Sequence, residues 1–165
     1  MKPLDLFLLN LRAPYTVWES DGLYSFKSEH GILFDIEFEQ ASIIAGSSAY
    51  WFGVYNRSHQ KSPLDVKVQE TIVSIIEEFF RQNPDILLYM CDTADNQQAV
   101  RARLFQRWFD AHGGDKSYII RTAVVMDEGT ANYVSLIVQK SNPDLETILH
   151  FFDSEIGMFQ ENKPS

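Results

Sequence analysis

Ile86-Leu87-Leu88-Tyr89-Met90-Cys91 decides the fold. A strand with one wet face would alternate apolar and polar residues, and this run does not. It is also too short to be a helix, so it predicts a strand buried on both faces. Upstream of it, Val68, Ile72, Ile75, Ile76 and Phe79 recur at helical spacing, and Asn83-Pro84 stops that helix. Ser62-Pro63 with Asp65 predicts the start: serine as N-cap, proline at the first helical position, an acid in the first turn. Downstream, Asp95 and Gln98 form a capping-box pair. Val100, Leu104, Phe105, Trp108 and Phe109 continue a second helical stripe, which His112-Gly113-Gly114 ends. A buried strand between two helices implies a right-handed crossover, so it should lie parallel and next to the strand before the first helix.

That earlier strand is Ala49–Asn56, rich in Tyr, Trp and Phe. Before it the period is two. Ile32, Phe34, Ile36 and Phe38 alternate with Leu33, Asp35, Glu37 and Glu39, giving one apolar and one mostly acidic face. Residues 15–19 and Leu23–Lys27 flank Ser20-Asp21-Gly22, where glycine supplies positive φ for a hairpin turn. After the second helix, strands over 118–126 and 133–140 join around Asp127-Glu128-Gly129, and a last helix over about 143–152 precedes a polar tail from about 157. The expected fold class is α+β, with elements in the order ββββαβαββα. They form a mostly antiparallel sheet with one parallel crossover, in a single domain spanning 1–165.

Bulk composition excludes several functions. With 165 residues the chain can bury a full core, and 45% hydrophobic with 22% charged residues is ordinary globular usage. A net charge of −9 opposes nucleic-acid binding, which needs a basic surface, and opposes docking on anionic lipid. Cys91 is the sole cysteine, so no intrachain disulfide forms and a reducing, cytoplasmic home is expected. The apolar stretch Leu6 to Leu9 is too short for a signal peptide, and no run approaches a membrane span.

Two stretches carry candidate ligand-binding residues. Asp92 lies at the carboxyl end of the buried strand, where open α/β sheets place ligands, with Asp95 beside it and Arg101 one turn into the next helix. Structural roles compete for all three: Asp95 caps, and Asp92 with Arg101 suits an ion pair. The loop Arg57-Ser58-His59-Gln60-Lys61-Ser62 is locally basic and enters a helix N-terminus, so Arg57 and Lys61 are candidates for an anion. No metal site is expected. The four histidines are scattered, with no two at ligand spacing, and a single cysteine speaks against zinc. No glycine-rich phosphate loop or nucleophile elbow occurs.

The pattern Cys91-Asp92-Thr93 … Asp95 … Gln98 … Arg101 … Arg103-Leu104-Phe105 … Trp108-Phe109 resembles the signature of an uncharacterised family of small bacterial proteins from Bacteroidetes. That family lends no function. The order strand, helix, strand, helix, strand hairpin after a meander is similar to GNAT-type N-acyltransferases, and residues 95–109 resemble their fourth helix. The resemblance implies a GNAT-like fold binding acetyl-CoA. Yet the arm over residues 57–65 has no glycine to approach a pyrophosphate, Phe105 stands where those enzymes carry a tyrosine acid, and the fourth strand has no carboxylate base. We therefore expect a non-catalytic binding or regulatory protein that contacts another protein and uses no cofactor. The alternative is an atypical N-acetyltransferase or a CoA- or nucleotide-type ligand binder. The arm should lie open and disordered in the first case and wrap an anion in the second.

Overall fold

A computed structural model describes residues 1–41, 43–90, 107, 109–111 and 117–161. Its elements are α1 (Leu6–Arg12), β1 (Trp18–Ser20), β2 (Leu23–Lys27), β3 (Leu33–Gln40), β4 (Ala49–Asn56), α2 (Val66–Gln82), β5 (Ile86–Met90), β6 (Tyr118–Asp127), β7 (Thr130–Gln139) and α3 (Leu145–Glu161). The fold is α+β. Seven strands lie in the order β1-β2-β3-β4-β5-β7-β6, mostly antiparallel with one parallel pair. β4 and β5 are neighbours, as the crossover requires, and Ile86 N donates to Ser48 O at 3.0 Å where they meet. The pairs β1·β2, β2·β3, β5·β7 and β6·β7 all run antiparallel. Residues 107 and 109–111 are helical, within the second helix expected from sequence.

The chain groups into two compact units, Met1–Glu39 with Phe52–Pro84, and Gln40–Trp51 with Asp85–Ser165. In the first, α2 buries Ile72, Ile75, Ile76 and Phe79 of the residues at helical spacing, while Val68 in its first turn is half-buried. Phe79 stacks on Phe38 at 5.1 Å and meets Phe80 edge-on at 5.2 Å, while Phe38 also touches Phe52 at 5.5 Å. The alternation of β3 thus delivers Phe38 to α2. In the second unit, Ile86 and Leu88 of β5 join Val134, Leu136 and Val138 of β7 and Ile148 and Phe152 of α3. Leu87, on the other face of β5, is also fully buried, so the strand is covered on both sides. No helix among the described residues is long and apolar enough to cross a membrane.

Four local readings change. A helix, α1, precedes the first strand. Asp5 caps it, accepting from Leu8 N at 3.1 Å, but with only seven residues, apolar on both sides, it shows no amphipathic period. β1 begins at Trp18 rather than 15, because Asn10 holds Val17 as a strand partner would. Asn10 Nδ2 donates to Val17 O at 2.9 Å and Val17 N to Asn10 Oδ1 at 2.8 Å, and Tyr15 turns to α2. The N-cap of α2 is Asp65, not Ser62: its carboxylate accepts from Lys67 N at 2.9 Å and fixes the helix start three residues later. α3 runs to Glu161, past the expected end at 152.

Candidate functional site

Of the candidates read from sequence, Asp92, Asp95 and Arg101 lie outside the described residues. Arg57 and Lys61 follow β4 in the first unit. Arg57 is exposed, and its guanidinium is engaged by neighbouring side chains. Its Nε donates to Asp35 Oδ2 at 2.7 Å, its Nη2 donates to Asp35 Oδ1, and the same Nη2 reaches Ser25 Oγ at 3.2 Å. Ser25 Oγ in turn donates to Asp35 Oδ1 at 2.6 Å. This two-pronged fork is the strong form of a charge-assisted hydrogen bond. The Arg57 hydrogen bonds hold the Asp35 carboxyl below the usual carboxylate range, against the opposing effect of burial, and Ser25 adds to them. Asp35 raises Arg57 in return.

Further bonds hold the start of the arm. Arg57 N donates to Leu33 O, Leu33 N to Ser58 Oγ at 3.0 Å, and Asn56 Nδ2 to Gln60 O at 2.6 Å. The Asn56 Oδ1 atom is left buried without a hydrogen-bond partner among the described residues. These bonds hold the first residues of the arm, while Arg57, His59, Gln60 and Lys61 stay exposed. Sequence reasoning assigned Asp35 to a solvated acidic face. The hairpin register that sets Ser25 opposite Asp35 was the available signal, because a small hydroxyl there leaves room for a third partner.

A second cluster escaped the sequence altogether. The ligand atoms of Glu29, His30 and Asp65 all lie within 4.8 Å of one another. Glu29 and His30 occupy the turn between β2 and β3, closed by Ser28 N to Ile32 O and Gly31 N to Ser28 O, both at 2.9 Å. Gly31 takes φ +79°, which a side chain would resist. Asp65 arrives from the start of α2, thirty-five positions away in sequence from His30, so no local spacing could reveal the group. Tyr15 OH donates to Asp65 Oδ2 at 2.7 Å. Burial, then the Asp65 hydrogen bond, push the Tyr15 hydroxyl up, which keeps it a donor. Burial would raise Asp65, but hydrogen bonds from Tyr15, Lys67 N and Val68 N hold it below its ordinary value. Lys67 Nζ sits 3.7 Å from Glu29 Oε2.

The third feature is apolar. In α1, Leu9 is fully buried, whereas Phe7 is 74% exposed and Leu11 68% exposed. These two are four apart and share one helix face. Leu64 and Val66 at the start of α2 are exposed too.

A model of a protein family of unknown function, DUF6169, matches residues 64–154. No curated protein matches the chain.

Proposed function

Because the chain belongs to the DUF6169 family, whose function is unknown, its own geometry must supply the functional reading, and we propose a non-catalytic binding or regulatory protein that docks another protein through α1. The observation that carries this is the pair Phe7 and Leu11. A helix apolar all round is ordinarily buried all round. In α1 the Leu9 side is buried and the Phe7–Leu11 side faces water. An exposed, spaced apolar face of this kind is how helix-in-groove recognition begins. The lone Cys91 and the acidic charge suit a reducing, cytoplasmic setting with neither nucleic acid nor membrane as partner.

Photocrosslinking in the native cells tests it. A photoreactive residue at position 7 should give a discrete adduct with a different protein, lost when Leu11 is replaced by Ser. An adduct of two copies of this chain, or adducts no different from those at exposed Lys2, would overturn the proposal.

The alternative, an atypical GNAT-type acetyltransferase or a CoA-type ligand binder, would recruit Arg57 and Lys61 to phosphate. The commitment of Arg57 to Asp35 and Ser25 weighs against it. Calorimetric titration with acetyl-CoA should therefore show weak binding or none. A dissociation constant in the low micromolar range or tighter would restore the alternative.

A further inference from the structure

Glu29, His30 and Asp65 bring one imidazole and two carboxylates together from two separate segments, and it is this mixed donor set that distinguishes the group from an acidic patch. It is the group of this kind found among the described residues. Asp65 is held for the purpose. Its two oxygens accept from Lys67 N, Val68 N and Tyr15 OH, which leaves about one of its four lone-pair positions for an ion. Metal-binding carboxylates are oriented by such hydrogen bonds, and the orienting partners matter nearly as much as the ligands. Tyr15 is itself fixed by stacking on Phe26 at 6.1 Å. Its hydroxyl thus braces the helix cap that supplies one of the donors.

The donor set selects the ion. Calcium prefers six to eight oxygens, and magnesium keeps oxygen ligands and its waters, so neither makes use of the imidazole. One nitrogen and two oxygens suit a borderline cation such as zinc, whose open sites take three protein ligands and leave a fourth position free. Ligand bonds of about 2.0–2.2 Å put tetrahedral ligand atoms roughly 3.4 Å apart. From separations of at most 4.8 Å that is reached by small rotations of Glu29 and His30, both exposed and free of core packing. Lys67 Nζ now supplies positive charge to Glu29, and a metal ion would take its place.

We propose that Glu29, His30 and Asp65 form a site for one divalent transition-metal ion, zinc by preference, with its remaining position open to water or an external ligand. Zinc chloride titrated calorimetrically into the tag-free full chain should bind one to one. Glu29→Gln and His30→Gln, both on an exposed turn, should each weaken binding by about tenfold or more, at least the loss seen when a supporting residue is removed. Lys67→Met removes the competing cation and should tighten binding several-fold. Cobalt(II) in place of zinc should give a visible spectrum without a thiolate charge-transfer band, which separates this site from Cys91. Asp65→Ala is avoided because it also uncaps α2. The proposal is overturned by absence of zinc binding at millimolar concentration, by binding that Glu29→Gln and His30→Gln leave unchanged, by Lys67→Met leaving affinity the same or lower, or by a thiolate band in the cobalt spectrum.

Discussion

Phe79→Ala should lower the unfolding free energy by about 3–5 kcal/mol, the range for truncating a buried aromatic. Phe79 is fully buried, stacked nearly parallel on Phe38 with an interplanar angle of 7° and edge-on to Phe80. The loss therefore combines transfer of the ring to water, a cavity between α2 and β3, and ring pairs worth about 0.5–1.5 kcal/mol each beyond their area. Phe79→Leu keeps most of the volume and should cost much less. Denaturant melts decide it. A loss near the roughly 0.5 kcal/mol typical of surface positions would mean that Phe79 does not hold α2 to the sheet.

Phe79 was legible because periodicity reports burial directly. The 3.6-residue spacing of α2 and the unbroken run of β5 each state how many faces are covered, and together they fix the crossover. Two kinds of feature were not legible. α1 is too short and too uniformly apolar to show a period, and the reciprocal Asn10–Val17 hydrogen bonds that shorten β1 leave no trace in composition. Functional geometry was hidden for a different reason. Asp35 sits at an alternation position that predicts solvent, and only the tertiary arrival of Arg57 makes it a buried, ionised partner. Likewise Asp65 could be recognised as a helix-start residue, but not as a neighbour of His30. Local pattern determines which face a residue takes. Which other segment meets that face is a property of the packed chain.

Glu78→Gln should cost about 2 kcal/mol at neutral pH, within the 1.5–3 kcal/mol range of hydrogen bonds to a charged group. Glu78 lies on the buried side of α2 with its carboxylate fully enclosed, at the place where α1 docks. Arg81 donates to it through Nη2 at 2.7 Å and Nε at 2.9 Å, Asp5 N at 3.2 Å, Gln82 at 3.3 Å, and Arg12 Nη2 at 3.4 Å. Both arginines are nearly half exposed, so they rehydrate when the charge is removed, and the cost stays below that of stranding a buried ion. The pH dependence identifies the cause. Burial alone would raise the Glu78 carboxyl, but the hydrogen bonds from Arg81 and Asp5 N and the Arg81 charge outweigh it, leaving the folded value below the ordinary one. A depressed folded value means that the stabilisation is fully present above the unfolded carboxylate value of about 4.3 and is lost as pH falls from there through the folded value. The wild-type protein should therefore lose its advantage over Glu78→Gln steadily as the solution is acidified through that window, and the two should converge at its acid end. A stability difference that stays constant from neutral pH down through the carboxylate range would show that Glu78 contributes by shape rather than by charge.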